Sequence, residues 1–146
     1  MRFRSGAMIA VLGTAIALAA SHDSFTALAD DTVDLAAAGK QFITSCGVCH
    51  AVEPKAEIRQ GPNLATVFGR KAGVLAEFPA FSDAIKKAGA DGLVWNDETL
   101  DKWITGPGDM IPGVMMPYAQ SDPAKRKLVI AYLKSLTDGG AAAAKP

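Results

Sequence analysis

The chain has 146 residues, 49% of them hydrophobic, with 15 basic and 15 acidic side chains, which is enough for one small domain. That even balance excludes the concentrated basic face that nucleic acid binding requires. Aromatic content of 7% is low for a core built from side chains alone, and small domains in this position draw on disulfides, metals or cofactors.

Arg2 and Arg4 give a basic start, and Met8 to Ala20 is an apolar run shorter than the ~20 residues a membrane span needs. A polar stretch follows, and Ala27-Leu28-Ala29 fits a small-x-small cleavage pattern. Residues 1–29 therefore read as a cleaved secretory signal peptide. An uncleaved anchor and an earlier cut near Ala19 or Ser21 are the alternatives. Loss of Arg2, Arg4 and Asp23 leaves a formal charge of −1 on the mature chain, whose folded domain is expected over residues 30–138. The expected location is the periplasm, with no membrane-spanning segment in the mature form.

The rest predicts an all-α domain of four to five short helices, because no segment alternates polar and apolar residues over a useful length. A first helix is expected over Thr32 to Ser45, with Val33, Leu35, Ala36, Phe42 and Ile43 at helical spacing. A second runs from a Ser82 cap to Ala88 and ends at Gly89. Asn96 caps a third, with Asp97 and Glu98 in its first turn, where the helix dipole favours anions. Leu100, Trp103 and Ile104 mark its buried face, and Gly106-Pro107 stops it. In the last helix Asp122 is the cap, Pro123 takes the first position, and Leu128, Val129, Tyr132, Leu133 and Leu136 form the apolar stripe. Residues 139–146 read as a flexible tail. The loops 52–61, 67–80 and 106–120 are long for so small a domain and make sense as wrapping for a bulky cofactor.

Cys46-Gly47-Val48-Cys49-His50 is the C-x-x-C-H haem attachment signature. Two thiols three positions apart lie on one helical turn and can add to the two vinyl groups of a porphyrin. The adjacent histidine then offers its imidazole to the iron. Three rivals are weaker. A thioredoxin-like pair belongs beside a βαβ pattern, which is absent. A zinc site wants about four ligands, and the mature chain has only Cys46, Cys49 and His50. A structural disulfide suits an exported chain but has no use for His50.

His22 falls within the signal peptide, so no second histidine remains as a sixth iron ligand. Met110, Met115, Met116, a lysine or an open position are the candidates. Met116 is favoured because Ile111-Pro112-Gly113-Val114-Met115-Met116-Pro117-Tyr118 is a stiff loop suited to presenting a thioether. Met115 is its main rival, and the bland alternative is that these methionines only fill the core.

The matching residues extend well beyond this motif. They include Gly61-Pro62-Asn63-Leu64, Phe68-Gly69-Arg70-Lys71-Ala72-Gly73, Phe81-Ser82-Asp83-Ala84, Trp95 with Glu98-Thr99-Leu100, Ile111-Pro112-Gly113 leading to Met116, and Ile130-Ala131-Tyr132-Leu133-Lys134. In this order they resemble the class I c-type cytochromes, the mitochondrial cytochrome c and its soluble bacterial relatives, over about Gly39 to Leu136. The resemblance implies the class I cytochrome c fold around one haem c bonded to Cys46 and Cys49, with His50 and Met116 as metal ligands. It further implies that the Pro62 carbonyl accepts the imidazole N–H of His50. Arg70 and Trp95 would satisfy a buried propionate, whose charge is costly without partners. Leu64, Leu100, Ile104 and Leu133 would line the crevice, Tyr118 would shield its front, and Gly39 and Phe42 would cross the last helix at Val129 and Tyr132. Four positions depart from the mitochondrial pattern. Phe81 stands in place of a tyrosine, Val114 of a threonine, Ile85 of an asparagine, and Trp103 of a tyrosine that faces the axial sulfur. The segment from Gly89 to Val94 is also longer.

The function implied is one-electron carriage in the periplasm by a monomer that is not an enzyme and has no catalytic residues. Redox proteins would dock at the haem edge through a small interface. Lys55, Lys71, Lys86, Lys87 and Lys125 would either steer an acidic partner or form ordinary solvated surface. A dedicated electron-accepting subunit of a periplasmic dehydrogenase is the alternative, and a haem peroxidase or gas sensor with labile methionine ligation is the third reading.

Overall fold

A computed structural model describes residues 33–137. The expected signal peptide, 1–29, and the expected tail, 139–146, lie outside the described residues. Five helices follow in order: α1 (Leu35–Cys46), α2 (Asp83–Ala90), α3 (Asp97–Thr105), α4 (Pro107–Met110) and α5 (Pro123–Thr137). Among the described residues the only extended pairing is an isolated antiparallel bridge between Lys71 and Val94.

Helix α1 starts at Leu35, later than the apolar spacing predicts. The reason is Asp34, whose carboxylate accepts from the N–H groups of Ala36 and Ala37 at 2.9 and 3.3 Å. A side chain that takes these orphan donors fixes where a helix begins. Ser82 and Asn96 cap α2 and α3 as expected, and Asn96 forms a reciprocal capping box with Thr99. The Asp122 carboxylate accepts from Ala124 N–H at 2.9 Å at the start of α5.

One sequence expectation is corrected. Gly89 does not end α2; it lies inside that helix and is buried. A Cβ there would stand 1.9 Å from the Ala72 carbonyl oxygen, so the glycine lets the helix pack directly on the backbone of the 67–80 loop. Gly106-Pro107 ends α3, but Pro107 then opens the one-turn helix α4, for which its preset φ is suited.

The core is centred on α1, α3 and α5. Phe42 and Leu133 are almost fully buried, each a gain of about 2 kcal/mol from desolvation. Phe42 packs on Tyr132 with ring centroids 5.3 Å apart, and a Cβ at Gly39 would come within 3.2 Å of the Tyr132 ring. The expected crossing of first and last helix is therefore present. Helix α3 joins α5 through Arg126–Asp101 at 2.7 Å and Lys134–Asp97 at 2.9 Å.

Candidate haem site

Helix α1 delivers the attachment motif. Past Cys46 the chain keeps turning, with Cys49 N–H and His50 N–H both donating to the Cys46 carbonyl at 3.0 and 2.9 Å. This turn brings Cys46, Cys49 and His50 to one face, and all three line a cavity of about 420 Å³, within the usual range for small-molecule sites. The two cysteines form no disulfide. Burial, with Cys49 close by, pushes the Cys46 thiol up to about 12, so it stays protonated. The Cys49 thiol donates to Gln60 Oε1 at 3.3 Å.

The loop that follows holds the imidazole from behind. His50 Nδ1–H donates to the Pro62 carbonyl at 2.8 Å, as the resemblance implies. That bond fixes the tautomer and leaves the Nε2 lone pair for a metal. Burial also lowers the basicity of His50, with the Pro62 bond opposing, and this keeps the ring neutral. Gly61 makes the approach possible: a Cβ there would sit 2.3 Å from His50 Cε1, while Gly61 N–H donates to the Cys49 carbonyl at 2.8 Å. Arg59 Nη1 donates to the Gly47 carbonyl and reaches the His50 carbonyl at 3.4 Å. Sequence reasoning found Gly61 and Pro62 as a pattern but missed Arg59 and Gln60, whose contacts appear only once the loop folds back.

The opposite wall carries the methionine loop. Met116 is half-buried and packs against the core. Its Sδ accepts from Trp103 Nε1–H at 3.2 Å, which matches the expectation that Trp103 faces this sulfur. Met115 is 70% exposed, and although it touches the rim of the cavity, its side chain is largely in solvent. Leu64, Leu100, Ile104, Leu133 and Tyr118 all line the cavity as expected. Arg70 and Trp95 line it too. Paired backbone bonds hold them together: Trp95 N–H donates to the Arg70 carbonyl at 3.0 Å, and Gly69 N–H to the Trp95 carbonyl at 2.8 Å. The Arg70 guanidinium donates to the Asn63 carbonyl at 3.2 Å and Thr66 Oγ1 at 3.3 Å. Burial lowers its proton affinity, which nearby Glu77 partly restores. Trp95 is only 6% exposed. A partly desolvated guanidinium lining a mostly apolar cavity suits an anionic group. Two thiols, an imidazole and a thioether around the same space suit a covalently held haem.

The family model for cytochrome c matches residues 36–137. Cytochrome c2 of Afifella marina is 42% identical over 108 residues, 73% of this chain and 86% of that one. Cytochrome c2 of Blastochloris viridis is 35% identical over 131 residues, 89% of this chain and 91% of that one. Among solved structures, cytochrome cH from Methylobacterium extorquens has 42% identity and a TM-score of 0.59, covering 68% of this chain and 97% of its own. The chain belongs to the cytochrome c family, with the class I all-α fold. It is an electron carrier rather than an enzyme, and it holds one covalently attached haem c through Cys46 and Cys49. As a carrier it works with redox partners. No helix among the described residues is long and apolar enough to cross a membrane.

Proposed function

We propose that the chain is a periplasmic one-electron carrier whose haem iron is held by His50 and Met116. The observation that carries this reading is the contrast at the methionine loop: Met116 presents its sulfur to Trp103 at the cavity wall, while neighbouring Met115 is 70% exposed. The haem supplies one-electron chemistry, and histidine–methionine ligation raises its potential. His50, steadied by Pro62, would give the nitrogen ligand and Met116 the sulfur ligand, so the chain itself would supply both and would keep a substrate or gas from the metal. Arg70 and Trp95 hold a propionate, supported by the desolvated guanidinium and by the place of both residues in the cavity lining. Apolar walls limit solvent reorganisation around the redox centre. Export is supported by the basic start, apolar run and Ala27-Leu28-Ala29 site of the leader. The mature domain acts as a monomer, with redox proteins docking at the haem edge.

Carbon monoxide tests the closed site. The ferrous protein at neutral pH is expected to resist its binding, and rapid, complete binding would overturn the carrier reading in favour of a sensor or peroxidase. Fractionation of cells expressing the full chain tests location: the haem protein is expected in the periplasmic fraction, without residues 1–29.

A further inference from the structure

Residues 115–119, which include Met116, make no backbone–backbone hydrogen bond among the described residues. The segment is a strap, held at the Met116 sulfur by Trp103 and at its downstream end by Gln120. Gln120 is anchored four ways. Its N–H donates to the Ile104 carbonyl at 2.8 Å, and its Nε2 donates to Tyr118 Oη at 3.0 Å. Its Oε1 accepts from Asp122 N–H at 3.1 Å, and its carbonyl accepts from Arg126 Nη1 at 3.0 Å.

Arg126 differs from the other ion-pairing residues. Lys86, Lys87 and Lys102 pair with residues three or four positions away, and both partners are well exposed. The Arg126 side chain is only 11% exposed and pairs with Asp101 of α3 through both carboxylate oxygens, at 2.7 and 3.4 Å. The same guanidinium donates to the Ser121 carbonyl at 2.9 Å. A fork shared between a carboxylate and two carbonyls is a directional, charge-assisted anchor, stronger than an exposed pair. It ties the end of the strap to α3 and α5 together.

We propose that Arg126 and Asp101 are a positioning pair for Met116: by fixing the downstream end of the strap they set how readily the thioether leaves the iron. This rests on the assignment of Met116 as ligand. An external ligand can enter only when the strap opens, so its apparent affinity scales with the open population. Loosening the anchor raises that population without touching the iron or its ligands.

The test is imidazole binding to the ferric holoprotein, read beside the methionine–iron charge-transfer band and the denaturant midpoint. Arg126→Gln and Asp101→Asn are each expected to bind imidazole about ten times more tightly than wild type. Asp97→Asn, which breaks the other α3–α5 pair away from the strap, is expected to leave the affinity within about twofold. If Arg126→Gln does not fold, Asp101→Asn carries the test alone. The proposal is overturned if the two anchor variants bind imidazole as wild type does while only their midpoints fall, or if Asp97→Asn gains as much affinity. A wild type without the charge-transfer band overturns the Met116 assignment itself, and this inference with it.

Discussion

Trp103 donates to the Met116 sulfur at 3.2 Å, and its indole can only donate. A hydrogen bond on the free lone pair draws density from the thioether. With Met116 as the proposed iron ligand, the sulfur would then support ferric iron less well, and the ferrous state would be favoured. Trp103→Phe keeps an aromatic ring and removes the donor. The reduction potential is expected to fall by about 20–60 mV, the worth of one hydrogen bond for a one-electron couple; protein-film voltammetry reads it directly. An unchanged or raised potential would deny the bond a role in tuning. At this scale Cys46, Cys49 and His50 were legible because local spacing alone brings them together. Arg59 and Gln60 were not, since they meet the attachment turn only after the 52–61 loop doubles back. Arg126 was equally opaque: its partner Asp101 is 25 residues away, and nothing in a lysine- and arginine-bearing helix start marks one cation as buried.

At the level of elements, caps did most of the placing. Ser82, Asn96 and Asp122 each satisfy backbone donors that any helix start leaves open, so the helices they begin could be read from the chain. Asp34 does the same for α1, yet the helical spacing of Val33 and Leu35 carried the expected start too far upstream. Gly89 shows where composition misleads: glycine after a helical run usually marks a stop, but here it marks contact with Ala72. Gly89→Ala sets two effects against each other. Helix propensity favours alanine by ~1 kcal/mol, while a Cβ 1.9 Å from a carbonyl oxygen forces the backbone apart at a cost of about 1–3 kcal/mol or more. The clash wins, and net destabilisation is expected in guanidinium unfolding of the holoprotein. A stabilised variant would show that α2 does not press on the loop as described.

For the whole molecule, the low aromatic content and long loops become intelligible together, because the core is completed by the haem. Leaving a space of about 420 Å³ unfilled would cost ~10 kcal/mol at the usual price per unit of cavity volume, comparable to the entire stability of a small domain. Chain produced in a host without cytochrome maturation is therefore expected to lose most of its helical circular dichroism and its cooperative melting. Native helicity with a sharp melt in that haem-free chain would mean that the side chains suffice alone. The class of fold was readable from the order of motifs, whereas the anchoring of the methionine loop was not, because Gln120 and Arg126 act through tertiary contacts.

The visible spectrum of the purified ferric protein tests the central claim most directly. The methionine–iron charge-transfer band should be present in wild type and in Met115→Ala and absent in Met116→Ala. A band that survives in Met116→Ala and vanishes in Met115→Ala would contradict the account.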